Sequence, residues 1–231
     1  MNIKAPIRHL FLAAIITSAF VQNAHAANTD IKITEWLYTA ASGASEFMEF
    51  TNLGTSSIDL AGWSFSDKAR TPGHLSLSSL GTISAGESFI ITDKTAFAFS
   101  TEWNLASTVK VLGGNTVQAL GRDDEINIYD NTNTLIDRLT YNDQASLGPR
   151  AHTTSARPGS FAALGANNAN LWVLSAVGDG EGTRTSLFNS IGSPGSTSFV
   201  TAVPEPQTYA LMMAGLGLIG FAARKRQGKS T

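Results

Sequence analysis

The sequence predicts an all-β fold, an antiparallel β-sandwich, and three observations lead to this prediction. Short runs of alternating apolar and polar residues recur roughly every ten residues from Asp30 onward. Glycine and Asx residues occupy the breaks between these runs, where turns need them. The spacing of a βαβ unit does not occur, so the strands are expected to pair antiparallel. One stretch, residues 96–104, fits a short helix.

The predicted strands follow one another closely along the chain. They lie at residues 31–35, 46–51, 57–60, 63–65, 88–92, 108–112, 125–129 and 135–141. In the first strand, strict alternation would place Glu35 on the same face as Ile31 and Ile33. In the second strand, Met48 and Phe50 share one face in the same way.

Twelve apolar residues of these strands form the expected core. They are Ile33, Met48, Phe50, Leu60, Trp63, Phe65, Phe89, Ile91, Ile126, Ile128, Leu139 and Tyr141. The opposite face of the second strand carries Phe47 and Glu49. The chain has no cysteine, so apolar burial, worth about 25 cal/mol per Å2, must supply the stability that disulfides give many exported proteins. Trp63 and Trp172 are expected to pack inside rather than to serve as carbohydrate platforms.

The charges are distributed unevenly along the chain. All 18 acidic residues lie between Asp30 and Glu205, whereas six of the 16 basic residues lie outside these limits. The stretch between them therefore carries ten basic residues against 18 acidic ones, a formal charge of −8. A body with this charge disfavours nucleic acid and anionic membrane surfaces as partners.

Residues 1–26 have the three parts of a secretory signal peptide. Lys4 and Arg8 precede an apolar run over residues 10–20, and Ala24-His25-Ala26 forms a small-x-small cleavage box. The sequence therefore predicts export by the Sec machinery, with cleavage after Ala26 and a mature chain that begins at Ala27. The alternative is a buried N-terminal helix, which would not explain the cleavage box.

The C-terminal residues also form three parts in a fixed order. Pro204-Glu205-Pro206 is stiff and extended, because each proline fixes its own φ and restricts the preceding residue. An uncharged apolar stretch over residues 209–223 follows, and Arg224-Lys225-Arg226 ends it. As a helix this stretch spans roughly 22 Å, less than the ~30 Å hydrocarbon core, so it could insert only by thinning the bilayer or by snorkelling. A plain single-span anchor is the alternative.

Residues 203–226 (VPEPQTYALMMAGLGLIGFAARKR) resemble the PEP-CTERM sorting signal of Gram-negative bacteria. The resemblance implies recognition by an exosortase, a membrane-embedded enzyme, with an inner-membrane precursor that is then sorted to the cell surface or the extracellular matrix. Pro204, Glu205, Pro206, Arg224, Lys225 and Arg226 would form the sorting signal. Such tails are common in bacteria that make exopolysaccharide and biofilm, so exopolysaccharide and envelope proteins are the implied partners.

The middle of the chain contains a series of motifs over roughly residues 28–197. The opening motifs are Ile31-x-Ile33-x-Glu35, Glu46-Phe47-Met48-Glu49-Phe50-x-Asn52-x-Gly54 and Ile58-Asp59-Leu60-x-Gly62-Trp63-x-Phe65-x-Asp67. Later motifs include Asp124-Glu125-Ile126-Asn127-Ile128-Tyr129-Asp130, Arg157-Pro158 and Gly192-Ser193-Pro194-Gly195. Motif by motif, this series resembles a lamin-tail domain, and the resemblance implies an immunoglobulin-like sandwich used as a binding or spacer module. Two departures are a long polar stretch at residues 143–170 and Asn131-Thr132-Asn133, which replaces the family's turn glycine.

Few residues suggest catalysis. Past the predicted signal peptide, the only histidines are His74 and His152, and neither belongs to a zinc-binding or His-Glu pattern. No Gly-x-Ser-x-Gly elbow and no phosphate-binding glycine loop occurs. We therefore expect no enzymatic activity, no catalytic residue and no cofactor. A secreted hydrolase acting on matrix polymers is the alternative.

The best candidate for a ligand site is acidic. Asp123-Asp124-Glu125 and Asp130-Asn131-x-Asn133 could offer oxygen ligands to Ca2+, which would make the protein a calcium-dependent binding module. Ordinary turns are the stronger interpretation of both segments, because Asx residues favour turns. Asp179-Gly180-Glu181-Gly182 also has metal-like spacing, and a flexible acidic loop is the stronger interpretation there. No metal site is therefore predicted.

The sequence thus divides into four predicted regions. A signal peptide occupies residues 1–26, a lamin-tail-like sandwich residues 27–199, a Pro-Glu-Pro linker residues 200–208, and a short membrane helix with a basic end residues 209–231. Together they predict an exported surface or matrix protein that binds or supports other components.

Overall fold

The computed structural model describes residues 30–200, 212–216 and 219. Within residues 30–200 it contains one α-helix, α1 (Ala96–Glu102), and fourteen strands. The strands are β1 (Ile31–Leu37), β2 (Phe47–Asn52), β3 (Ile58–Asp59), β4 (Ser64–Ser66), β5 (Leu75–Ser76), β6 (Thr82–Ile83), β7 (Ser88–Thr92), β8 (Lys110–Leu112), β9 (Asp123–Tyr129), β10 (Leu135–Asn142), β11 (Ala156–Pro158), β12 (Trp172–Leu174), β13 (Arg184–Thr185) and β14 (Ile191–Gly192). The all-β prediction is confirmed.

Two sheets form the two layers. The larger has six strands in the order β12-β11-β1-β2-β7-β8, and the smaller has four in the order β10-β9-β4-β5. The pairs β3–β6 and β13–β14 stand apart as short ladders. The prediction of purely antiparallel pairing is wrong at one place, because β7 and β8 pair in parallel. The connection between them, which contains α1, is long enough to bring the chain back to the start of β7.

The main core lies between the inner faces of the two sheets. All twelve residues predicted for it are buried there. Trp36 stacks on Tyr141 at 3.9 Å between ring centroids and so joins the larger sheet to the smaller one. Trp63 and Trp172 are buried as expected, with 2% and 5% of their surfaces exposed. The part of the chain that the structure describes therefore offers no exposed tryptophan for a carbohydrate to stack on.

A β-bulge in β1 changes the direction of one acidic side chain. Ile33 pairs with Phe50 of β2, whereas Glu35 pairs with Glu49, so the register shifts between Ile33 and Glu35. The prediction that Glu35 shares a face with Ile33 is therefore wrong. The extra residue, Thr34, turns the strand so that Glu35 joins Glu49 on the outer face of the larger sheet.

The outer face of the larger sheet is covered as well. Leu37, Phe47 and Ile90 point outward and pack with Phe99 and Trp103, around α1, into a second apolar cluster. The remainder of this face is covered by residues 175–200, which include β13 and β14 and are called the closing segment below. The polar stretch at residues 143–170 is built into the sandwich, because it contributes β11, which pairs with β1.

The ends of the chain are described only in part. Residues 212–216 are helical, but most of the predicted membrane helix at residues 209–223 lies outside the described residues. Within the described ranges, no helix is both long enough and apolar enough to cross a bilayer.

The helix α1 begins directly after its N-cap residue, Thr95. The Thr95 hydroxyl accepts a hydrogen bond from the Ala98 amide, which explains why the helix starts at Ala96.

Candidate functional site

The residues predicted for processing lie at the two ends. All of these residues lie outside the described part of the chain. They are Ala24, Ala26 and Ala27 at the signal cleavage point, and Pro204-Glu205-Pro206 and Arg224-Lys225-Arg226 in the sorting signal. The folded body nevertheless reaches close to the sorting signal. Val200 packs against Gly86, since a Cβ at that glycine would lie 2.7 Å from the Val200 Cγ1.

Two glutamates lie side by side beneath the closing segment. Glu35 of β1 and Glu49 of β2 are direct cross-strand partners, and their exposed fractions are 1% and 0%. Directly opposed side chains of an antiparallel pair have Cβ atoms about 4.5–5.5 Å apart, so the two carboxyl groups are neighbours. We call them the carboxyl pair.

The closing segment binds the carboxyl pair through its backbone. The Ser193 amide donates to Oε1 of Glu35 at 2.7 Å, and the Gly195 amide donates to Oε2 of Glu49. The Ser155 hydroxyl also donates to Oε1 of Glu35. Glu35 Oε2 is buried and has no hydrogen-bond partner within the described ranges. The pair is therefore the point at which the closing segment meets the sheet.

Gly192 shows how tightly this contact fits. A Cβ at this position would lie 3.0 Å from the Ser155 Oγ, and 3.1 Å from both the Glu35 Oε1 and the Trp103 ring. The φ of Gly192 is not positive, so the need for glycine arises from this close approach and not from the backbone conformation.

The carboxyl pair lacks a directly bound cation. Burial raises the pKa of Glu35 to about 7. Burial, followed by the charge of Glu35, raises the pKa of Glu49 to about 8. Arg184 is the nearest cation, but its guanidinium donates to the carbonyls of Trp103 and Pro194 at 3.0 and 2.9 Å. The pair is thus held largely in its protonated form at neutral pH.

A chain of hydroxyl groups leads from the pair towards the surface. Thr34 Oγ1 lies 2.8 Å from Glu49 Oε1 and 2.8 Å from Thr51 Oγ1. Thr51 Oγ1 lies 2.7 Å from Ser88 Oγ. Ser88 lines an open groove of about 460 Å3, which Gly195 of the closing segment also lines. The carboxyl group is therefore linked to this groove by three hydroxyls.

The acidic segments considered for Ca2+ are occupied by contacts of their own. Asp124 accepts the amides of Gly121 and Lys68 at 2.8 and 3.2 Å. Asp130 accepts the Thr132 and Thr134 amides, and so closes the turn. Asn133 takes the left-handed conformation in this turn, with φ 62°, which replaces the missing glycine. Among the described residues, no group of three or more acidic or histidine side chains is placed to hold a metal ion.

The Asp179 loop differs from its predicted form. Asp179 forms an ion pair with Arg157 at 2.9 Å, and it accepts the amides of Ala176 and Glu181. The Ser198 hydroxyl donates to Glu181, which fastens the end of the closing segment. The prediction of a loosely held acidic loop is therefore wrong, because Arg157 and the backbone neutralise its carboxylates.

Comparison with known proteins identifies both parts of the chain. The family model described as Lamin Tail Domain matches residues 24–143, slightly more than half of the chain. The model described as PEP-CTERM protein-sorting motif matches residues 202–227. No curated protein and no solved structure matches the chain. The segment that covers the carboxyl pair lies beyond the first of these two matches.

Proposed function

Because the chain belongs to the lamin tail domain family and ends in a PEP-CTERM sorting motif, we propose that it is a non-enzymatic surface or matrix protein sorted by an exosortase. Its body is an immunoglobulin-like sandwich that binds or supports envelope components or exopolysaccharide. The tail delivers this body to the cell surface of a Gram-negative bacterium.

The observation that carries this proposal is the position of the end of the folded body. The closing segment stays attached to the sheet through Gly195, its Ser198 is bound by Glu181 of the same segment, and Val200 still packs on Gly86. The sorting motif matched at residues 202–227 begins directly afterwards. An exosortase can therefore act on the tail without disturbing the sandwich.

In the proposed mechanism, the apolar stretch at residues 209–223 holds the exported precursor in the inner membrane. Arg224-Lys225-Arg226 stays on the cytoplasmic side, as positive charges do. Cleavage near Pro204-Glu205-Pro206 then releases or transfers the body. The formal charge of −8 over residues 30–205 favours neutral or basic partners at the surface.

The test is the intact mass of the protein from membrane and extracellular fractions of the native host. We expect an external species that begins at Ala27 and ends near Glu205. Glu205→Ala should abolish this species and leave a membrane-bound precursor, whereas the neighbouring Gln207→Ala should not. An unchanged C-terminus retained in the inner membrane, in the wild type, would show that the tail is only an anchor.

A further inference from the structure

The carboxyl pair has the properties of a switch at the base of the closing segment. Glu35 and Glu49 are both fully buried, face each other across β1 and β2, and bind the closing segment through two of its amides. The charges that the described residues place on the pair are those of its own two members and of Arg184 of β13. The uncharged polar groups at the site include four serine hydroxyls, those of Ser88, Ser155, Ser175 and Ser193.

We propose that the carboxyl pair is a pH-sensitive latch, which holds the closing segment on the sheet while at least one carboxyl is protonated and releases it when both ionise. Two adjacent carboxylates repel each other in a dry site, and neither has a bound cation to offset the cost of desolvation. The unpartnered Oε2 of Glu35 adds to this cost, because a buried unpartnered oxygen is less costly in a neutral acid than in a carboxylate.

Release is directed at the closing segment because the rest of the site cannot move easily. Glu35 and Glu49 belong to neighbouring central strands that are held by the main core on their other face. The closing segment, by contrast, binds the pair through residues 193–195, which follow the two-residue strand β14. Ionisation therefore separates the closing segment from the sheet before it separates the strands.

The hydroxyl chain gives the proton a way out. In the structure the Thr34 hydroxyl donates to Glu49 Oε1. A protonated Glu49 would reverse this contact and donate through Thr34 and Thr51 to Ser88, a residue that lines the groove. Either atom of the last two contacts can act as donor, so the chain can reverse its direction when Glu49 loses its proton. The latch therefore responds to the solution without prior unfolding.

Opening of the latch also affects the C-terminal end of the described body. Gly195 lies five residues before Val200, the last residue described next to the sorting motif. With the latch closed, the chain leaves the body at a fixed point beside Gly86. With the latch open, this exit point moves away from the sheet. This inference concerns the body alone and holds whether or not an exosortase processes the tail.

The experiment is hydrogen exchange at the Ser193 and Gly195 amides, on the full chain in detergent micelles, from about pH 6 to about pH 9. We compare the wild type with Glu49→Gln at each pH, so that the intrinsic pH dependence of exchange cancels. The glutamine keeps both contacts, since its amide nitrogen donates to Thr34 and its oxygen accepts from Gly195. Asp59→Asn, on an exposed strand end, is the control.

We expect protection of the two amides in the wild type, and in the control, to fall relative to Glu49→Gln by about tenfold per pH unit up to about pH 8, and to level off above it. Equal protection in the wild type and in Glu49→Gln at every pH would overturn the proposal. Carbon NMR titration of the wild-type glutamate carboxyls is a second test that needs no variant. If both members of the pair titrate below about pH 5, the latch does not exist.

Discussion

The two sheets bury carboxyl groups on their outer faces in opposite ways. On the larger sheet, Glu35 and Glu49 face each other without an ion pair to any described residue. On the smaller sheet, Glu125 is equally buried, with 2% of its surface exposed, but Arg70 binds both of its oxygens. Hydrogen bonds from Arg70 lower the pKa of Glu125 to about 2, whereas burial raises the pKa values of the other two to about 7 and about 8. The comparison teaches that a carboxyl with little exposed surface gives up its proton where a cation binds it directly, and tends to keep the proton where none does.

The largest expected effect is on the pH dependence of stability. The carboxyl pair binds more protons in the folded state, so the free energy of unfolding falls as the pH rises from the ordinary pKa of 4.5 through about 7 and about 8. We expect a loss of several kcal/mol, at about 1.4 kcal/mol per bound proton and pH unit, between about pH 5 and about pH 8 in urea titrations. Glu49→Gln should flatten this dependence. It should not remove it, because burial also raises the pKa of Glu46 to about 8.

The opposite sign applies to Glu125. Its contribution is present above the ordinary pKa of 4.5 and is lost as the pH falls through about 2. The body is therefore expected to lose stability at both ends of the pH range. If stability rose steadily from about pH 5 to about pH 9, the protonated state assigned to the carboxyl pair would be wrong.

The next largest expected effect is steric, and it concerns the close contact of the closing segment with the carboxyl pair. Gly192→Ala should cost about 2 kcal/mol, because the added methyl lies within 3.1 Å of Glu35 and Trp103 and must displace the closing segment. Gly121→Ala is the matched control beside Asp124. Its methyl would meet the nearest atom at 3.5 Å, an ordinary contact, and its φ is likewise not positive. Equal unfolding midpoints in urea for the two variants would contradict the tight contact.

The smallest effect comes from the ion pair of the smaller sheet. Arg70→Met should lower the free energy of unfolding only slightly at neutral pH, because the arginine side chain is 54% exposed. The cost should nearly vanish at about pH 2, where Glu125 gains its proton. Lys68→Met is the control, since its ion pair with Asp123 is half exposed at both partners and should contribute nothing measurable. A cost for Arg70→Met that does not change with pH would point to lost packing rather than lost charge.

The alternation of residues was sufficient to predict the inner layer. Met48, Phe50, Ile126 and Ile128 lie in the core because a strand turns every second side chain to the same face. The bulge at Thr34 could not be predicted in this way, because an extra residue interrupts the period and leaves no mark in the composition. The parallel pairing of β7 with β8 could not be predicted from the alternation of residues either. It depends on where the connection that contains α1 returns the chain.

The carboxyl pair left one signal in the sequence. Phe47 and Glu49 alternate with core residues, so the outer face of β2 is partly apolar and must be covered by another part of the chain. What covers it could not be inferred, because the closing segment is far away in the sequence, is rich in glycine and serine and has no strong period. The sorting motif, by contrast, was predicted from the sequence alone, and a family model matches it at residues 202–227.

The contacts of the carboxyl pair also set an order for folding. Glu35 and Ser193 are separated by 158 residues, and Glu49 and Gly195 by 146. Contacts over such distances form late, because a long loop must close before they stabilise anything. The first two strands to be synthesised therefore keep an incomplete outer face until nearly the whole body is available. A chain that ends before residue 193 leaves two acids and an apolar cluster open to water, and so differs from a finished one in a way that quality-control proteases can recognise.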